Sequence, residues 1–216
     1  MSKILAKDIV SEIKQAGDAD RNFYRYDTMR SVDYNFILEL VKKLKPKNTL
    51  EVGCAYGCLS LLLTRNGFLV KTIDILPKLH SQKLFRKYGV PFKKANIETD
   101  PVPYKEKFDL IILSEVMEHF CSNPLPTLKK LVAKLKRGGR LILSVPMREL
   151  DPPEKRGLWT EEINWRQIPV VKKYKWKDGH HHHYYFWELV DLIKEAGLKI
   201  SYMAKRQGWF LVLKKI

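Results

Sequence analysis

The sequence predicts an α/β fold: a seven-stranded, mostly parallel sheet with helices on both faces and an antiparallel strand at its C-terminal edge. Two observations carry this. Short apolar runs alternate with helical periodicities along most of the chain. In addition, Leu50-Glu51-Val52 leads out of an apolar run into Gly53 and Gly57, and Asp74 closes the next apolar run 23 positions after Glu51. A strand, a glycine turn, a helix and a second strand ending in a carboxylate form a nucleoside-binding half-fold.

Each element follows in order. Ile4, Leu5, Ile9, Val10 and Ile13 give a helix over 3–16, broken at Gly17-Asp18-Ala19-Asp20. Val32, Phe36, Ile37, Leu40, Val41 and Leu44 give a second helix over 28–45, stopped before Pro46. Strand 49–52, helix 57–66, strand 69–73, helix 77–88 and a short strand at 91–94 come next, then a proline-bearing loop through 104. The continuous apolar run Phe108 to Leu113 suits a strand covered on both faces. Helix 124–136 is expected to stop at Arg137-Gly138-Gly139 and to be followed by a strand from Arg140 to Val145. Helix 186–196 ends at Gly197. Two final strands, 198–204 and 209–214, are joined by Lys205-Arg206-Gln207-Gly208, a link short enough to require an antiparallel hairpin.

The 216 residues read as a single domain that buries roughly 70% of its unfolded surface. Within it, 1–45 form an N-terminal helical extension, 46–146 a ligand-binding core, 147–185 an insertion, and 186–216 a C-terminal helix and hairpin. The insertion carries Pro152, Pro153 and Pro169 with Trp159, Trp165 and Trp176. It follows a strand's C-terminal end, where open α/β sheets bind ligands. Three tryptophans need something to pack on, and a long structureless loop is uncommon in a compact domain. The segment is therefore read as a cap over the active site, with Tyr24 and Tyr26, in the loop between the N-terminal helices, closing from the other side.

Composition narrows the function. No apolar run reaches the ~18–20 residues of a membrane span, and the N-terminus lacks a signal peptide's apolar core, so a cytoplasmic protein is expected. Cys54, Cys58 and Cys121 give no disulfide framework; Cys54 and Cys58 lack further ligands nearby and are read as buried thiols, so no metal site is assigned to them. The formal net charge of +16 admits RNA as a partner. The basic residues are mostly lysines spread along the chain, however, and nucleic-acid recognition more typically clusters arginine with aromatics.

The glycine turn carries the chemistry. Glycines let the backbone turn through positive φ beside a ligand, and the helix that follows presents unpaired N–H groups. A pyrophosphate site would be spelled G-x-G-x-x-G, whereas this chain reads Glu51-x-Gly53-x-Ala55-x-Gly57. An acid ahead of the glycines suits a cationic amino group. Asp74, at the end of the second strand, suits two ribose hydroxyls, each charge-assisted bond worth roughly 1.5–3 kcal/mol.

Five motifs in order resemble the class I S-adenosylmethionine-dependent methyltransferases, over roughly residues 46–146. They are Leu50 to Gly57, Asp74, Ala95-Asn96-Ile97-Glu98, Ser114-Glu115-Val116-Met117-Glu118-His119-Phe120 and Leu135-Lys136-Arg137-Gly138-Gly139-Arg140-Leu141. The fourth is similar to the "E-V-L-E-H" stretch of the small-molecule branch. The resemblance implies a Rossmann-like fold with S-adenosylmethionine as cofactor. It implies a site built from Glu51, Gly53, Cys54, Ala55, Gly57, Asp74, Ile75, Asn96, Ile97, Ser114, Glu115 and Val116. Two positions depart from the family pattern. Ala55 replaces the middle glycine, which adds a methyl and disfavours positive φ, and Asn96 replaces an aspartate that meets the adenine.

A sulfonium methyl is already activated, so the protein mainly orients donor and acceptor, an effect worth roughly 7–11 kcal/mol. A base adds ~10²–10⁴ in rate where the acceptor needs one, and His119 is the candidate. His180-His181-His182-His183 runs directly into a helix start and is read as native, with one or two of the four lining the pocket. Adjacent side chains in an extended run face opposite ways, so all four cannot share one ion. No Asn/Asp-Pro-Pro-Tyr follows the fourth strand and no Pro-Cys pair occurs, which argues against nucleobase methylation. The expected reaction is O- or N-methylation of a small molecule or sugar-like acceptor. Methylation of RNA or protein by the same fold, and a catalytically silent binding module, are the alternatives. The sequence says nothing of oligomeric state.

Overall fold

The computed structural model describes residues 4–20, 23–146, 164–174, 177 and 179–216, with the side chains of 23–27 left out. Its strands follow the order β3-β2-β1-β4-β5-β7-β6 in a seven-stranded sheet. The chain divides into two units, Met1–Ala95 and Asn96–Ile216.

In the first unit, α1 (Ala6–Ala16) buries Ala6, Ile9, Val10 and Ile13 along one stripe. It starts three residues later than its periodicity suggests because the Asp8 carboxylate accepts the Leu5 N–H at 2.8 Å, which caps the helix there. The next helix, α2 (Phe23–Leu44), starts earlier than expected. No glycine or proline interrupts 21–45, so the hydrogen-bond ladder continues back to Phe23. Tyr24 and Tyr26 therefore lie on a helix and not in a loop. Strands β1 (Thr49–Val52), β2 (Val70–Asp74) and β3 (Phe92–Lys94) are parallel, with Thr49 opposite Val70 and Thr72 opposite Phe92. Between β1 and β2 runs α3 (Cys58–Arg65), buried from Cys58 to Leu63. Helix α4 covers only Gln82–Tyr88, because Ser81 caps it by accepting the Leu84 N–H at 3.3 Å. Ser81 in turn donates to the Asp18 carboxylate, so the N-cap is held to the loop after α1.

In the second unit, β4 (Phe108–Ser114) and β5 (Leu135–Pro146) are parallel. Leu110 to Leu113, Leu141 to Leu143 and Val145 are all fully buried, as strands covered on both faces require. Helix α5 (Pro124–Ala133) ends earlier than expected, and Arg137-Gly138-Gly139 lies inside β5. The register against β4 jumps there, from Phe108–Leu135 to Leu110–Arg140. Gly138 has φ 75°, and a Cβ on Gly139 would stand 3.0 Å from the Lys136 carbonyl oxygen. The two glycines thus serve a bulge and not a helix stop.

After α6 (Phe186–Glu195) come β6 (Leu198–Lys205) and β7 (Gly208–Lys215), antiparallel to each other across a two-residue turn. Strand β7 also pairs antiparallel with β5, and β6 takes the edge. A Cβ on Gly208 would meet the Val145 carbonyl oxygen at 2.4 Å, so only glycine fits where the hairpin meets β5. Much of the 147–185 insertion, with Trp159 and Trp176, lies outside the described residues. No helix among the described residues is long and apolar enough to cross a membrane.

Candidate functional site

The glycine turn takes the backbone the residue types demand. Gly53, Ala55 and Gly57 all have positive φ, at 78°, 43° and 84°. Gly53 N–H reaches back to the Ile73 carbonyl at 2.8 Å, tying the turn to β2, and Gly57 N–H closes on the Cys54 carbonyl at 2.7 Å. Alanine at 55 adopts the left-handed conformation its replacement of glycine called into question. Gly57 has no such latitude, since a Cβ there would lie 2.4 Å from Cε1 of Phe85.

Asp74 is 8% exposed and serves the same turn. Its Oδ2 accepts the Ala55 N–H and its Oδ1 the Leu76 N–H, both at 2.8 Å. Burial raises its pKa, and the backbone donors partly offset that rise. Glu51, 4% exposed, accepts the hydroxyl of Ser60 on α3. Cys54 is buried beside both acids; desolvation first, then Asp74 and Glu51, push its thiol well above the ordinary range and keep it neutral. All three cysteines are free thiols, and Cys58 is also buried. Ile75 and Leu76, just past Asp74, are partly exposed apolar side chains.

In the second unit the residues after β4 form a tight polar cluster. Glu115 has φ 54°, strained for a glutamate, and its N–H donates to the Ser144 carbonyl at 3.0 Å. The Ser144 hydroxyl donates to Glu115 Oε1 at 2.9 Å and lies 2.8 Å from the Ser114 hydroxyl. Sequence reasoning missed Ser144, whose only signal is its place near the end of β5. Val116 precedes a 3₁₀ turn, Met117–His119, in which Glu118 is buried and His119 partly so.

Asn96 is more committed than its motif suggests. Its Oδ1 accepts the Glu98 N–H at 3.1 Å and its Nδ2 lies 3.4 Å from the Tyr174 hydroxyl. Ile97 beside it is buried. Glu98 accepts the N–H groups of Cys121 and Ser122, at 3.3 and 2.8 Å, and the Tyr174 hydroxyl. Burial and the Glu98 carboxylate push the Tyr174 phenol up, so it remains a donor.

Part of the insertion packs as a strap within this unit. Trp165 opens a 3₁₀ turn, is 1% exposed and carries the Arg166 guanidinium 4.5 Å above its ring. Asn123 Nδ2 donates to the carbonyls of Trp165 and Ile168, each at 3.0 Å. The histidine run follows. His181 and His182 N–H groups donate to the Glu118 carbonyl at 2.6 and 3.2 Å. His119 and His180 meet edge to face with ring centroids 4.7 Å apart. The structure thus brings one histidine of the run beside the candidate base. Glu118, which the sequence marked only as part of a motif, lies with them.

This arrangement of sheet, glycine turn and strand-end acid defines a nucleoside-binding α/β enzyme scaffold. A methyltransferase domain family matches residues 23–202, and the chain belongs to it, within the class I S-adenosylmethionine-dependent superfamily. Among curated proteins, the chain is 28% identical over 135 residues to the ubiquinone biosynthesis O-methyltransferase of Histophilus somni, covering 59% of this chain and 56% of that protein. The chain thus spans about half the length of the curated relatives it matches. Among solved structures, it superposes on an S-adenosylmethionine-dependent methyltransferase from Clostridium acetobutylicum with TM-score 0.65 at 15% identity, covering 84% of this chain and 90% of that one. A magnesium protoporphyrin IX methyltransferase from Synechocystis, with bound SAH, also gives 0.65, at 18% identity over 97% and 94%.

Proposed function

We propose that this chain transfers a methyl group from S-adenosylmethionine to an oxygen, or alternatively a nitrogen, of a small-molecule acceptor. The observation that carries the reading is the Asp74–Ala55 contact at 2.8 Å: the strand-end acid and the glycine turn are built as one unit. The groups present suit the cofactor. A carboxylate has about four lone-pair sites, so Asp74 keeps acceptor capacity for ribose hydroxyls beyond its two backbone donors. Glu51 is the anion for the cofactor's amino group. Asn96 and Ile97 are the adenine residues of this reading, with the Asn96 side chain already shared with Glu98 and Tyr174, and Ile75 is a cofactor residue beside Asp74. Gly53, Cys54, Ala55 and Gly57 contribute backbone, and Ser114, Glu115 and Val116 are the remaining cofactor residues of this reading.

When bound, the sulfonium supplies an activated methyl and leaves as a neutral thioether. The protein's residues hold and align the partners and keep water out. His119 is the acceptor-side residue of this reading, and the 147–185 insertion the substrate cap. An oxygen acceptor is favoured by the O-methyltransferase name of the relatives.

Calorimetry tests the cofactor. Binding of S-adenosylmethionine is expected, weakened at least tenfold in Asp74→Ala; no binding at millimolar ligand overturns the reading. Labelled-methyl transfer into metabolite, RNA and protein pools then finds the acceptor, and label in RNA or protein alone would refute the small-molecule assignment. Wild-type turnover in His119→Ala would remove that residue from the chemistry.

A further inference from the structure

Glu118, His119 and His180 each offer one ligand atom, and the three atoms lie within 4.8 Å of one another. Two come from the 3₁₀ turn after β4 and one from the histidine run. We propose that this trio is a binding site for a divalent first-row transition ion.

The ligands are held from both sides. The run is docked on the turn by the His181 and His182 N–H groups on the Glu118 carbonyl, at 2.6 and 3.2 Å. Tyr184, fully buried, adds a hydroxyl donated to the Met117 carbonyl at 3.3 Å. The histidine across the site is itself oriented, because His180 Nδ1 lies 2.9 Å from His183 Nε2. An outer partner of this kind is what fixes the tautomer and orientation of a ligating imidazole. His183 is 6% exposed and well placed to be that partner.

The donor set selects the ion. Two imidazoles and one carboxylate match zinc and its first-row neighbours, whereas magnesium and calcium favour all-oxygen sites. A tetrahedral ion with bonds of about 2.0–2.1 Å wants ligand atoms about 3.3 Å apart, so a pair of the trio must draw in by at most about 1.5 Å, shared between two side chains and within the reach of χ rotations. Glu118 is 1% exposed, and burying a carboxylate is costly unless a cation or donors compensate. Three protein ligands leave at least one position open to an oxygen.

That open position gives the site its use, which rests on the methyl-transfer reading, whereas ion binding does not. An acceptor hydroxyl bound there loses its proton to water near neutral pH, and its oxygen keeps the electron pair. His119 then serves the acceptor through the ion and not as a free base.

The test uses the full chain stripped with a chelator and titrated with Co²⁺, whose visible absorption reports coordination. One ion per chain is expected, with Zn²⁺ displacing it. Glu118→Gln and His180→Ala should each weaken binding at least tenfold while S-adenosylmethionine affinity stays unchanged. His181→Ala is the control: its ring lies outside the trio, on the Lys177 carbonyl at 3.0 Å, and should bind cobalt as wild type does. No cobalt spectrum in folded protein overturns the site, and so does equal loss in His181→Ala, which would mean loose binding by the run. Cofactor binding without cobalt binding refutes this inference alone; cobalt binding without cofactor binding refutes the methyl-transfer reading alone. Turnover that survives chelation would overturn the ion's role at the acceptor.

Discussion

Asp74 Oδ2 accepts the backbone N–H of Ala55 at 2.8 Å, so the acid that ends β2 holds the alanine that stands in the glycine turn. Ala55 sits at φ 43°. A left-handed L-residue costs roughly 1–2 kcal/mol, and glycine's extra unfolded-state entropy costs about 0.5–1 kcal/mol. The two nearly cancel, with the balance toward relief of strain. Ala55→Gly should therefore raise the unfolding free energy in urea by up to about 1 kcal/mol. A loss of comparable size would show that the alanine methyl packs usefully.

Gly57 is the opposite case. Its φ of 84° and the Phe85 ring 2.4 Å from a built Cβ combine strain with a clash. Gly57→Ala should cost about 2–5 kcal/mol, the sum of left-handed strain and overpacking. Urea denaturation measures it, and a cost under about 1 kcal/mol would mean the Phe85 ring moves aside freely.

His80 should make stability depend on pH. It lies between Phe85 and Phe92, with ring centroids 4.2 and 4.4 Å away, and burial lowers its pKa. The unfolded chain takes up a proton as pH falls through about 6.5, while the folded chain resists it. Stability is therefore present above that value and lost as pH falls from it toward the lowered folded value. Urea midpoints from pH 8 to 5 should fall less in His80→Phe than in wild type. Parallel curves would show that His80 titrates the same in both states.

Asn123 is expected to hold the strap. Its Oδ1 caps α5 through the Leu125 N–H at 2.9 Å, while its Nδ2 bonds the Trp165 and Ile168 carbonyls. Loss of the cap alone costs about 0.5–2 kcal/mol. Hydrogen exchange in Asn123→Ala should speed up over 165–171 more than over β4 and β5. Uniform acceleration would mean that the strap opens only with the whole unit.

Local features were legible where a residue type answers a backbone need. The apolar runs of β4 and β5 became doubly buried strands, and Asp74 reached the turn its spacing suggested. Gly138-Gly139 have two local readings. Two glycines after a helix look like a stop, but the bulge they serve depends on the register of β5 against β4. Ser81 is one of several polar residues near the helix start, so the sequence alone predicts α4 from Pro77, and only the structure shows Ser81 as its N-cap. Asn96 shares its amide with Tyr174, a partner 78 positions away that no local pattern signals.

The motifs of the sequence carry its resemblance to the methyltransferase family; by itself the sequence determined the order of strands and helices along the chain, the glycine turn and the strand-end acid. These depend on periodicity and on φ, which a few neighbouring residues decide. Tertiary structure alone decided that Ala55 is tethered to Asp74, that Glu115 leans on Ser144, and that His180 joins Glu118 and His119. Each of these pairs residues far apart in the chain. Such contacts exist only once packing has closed the intervening loops, and the chain's local preferences carry no record of them.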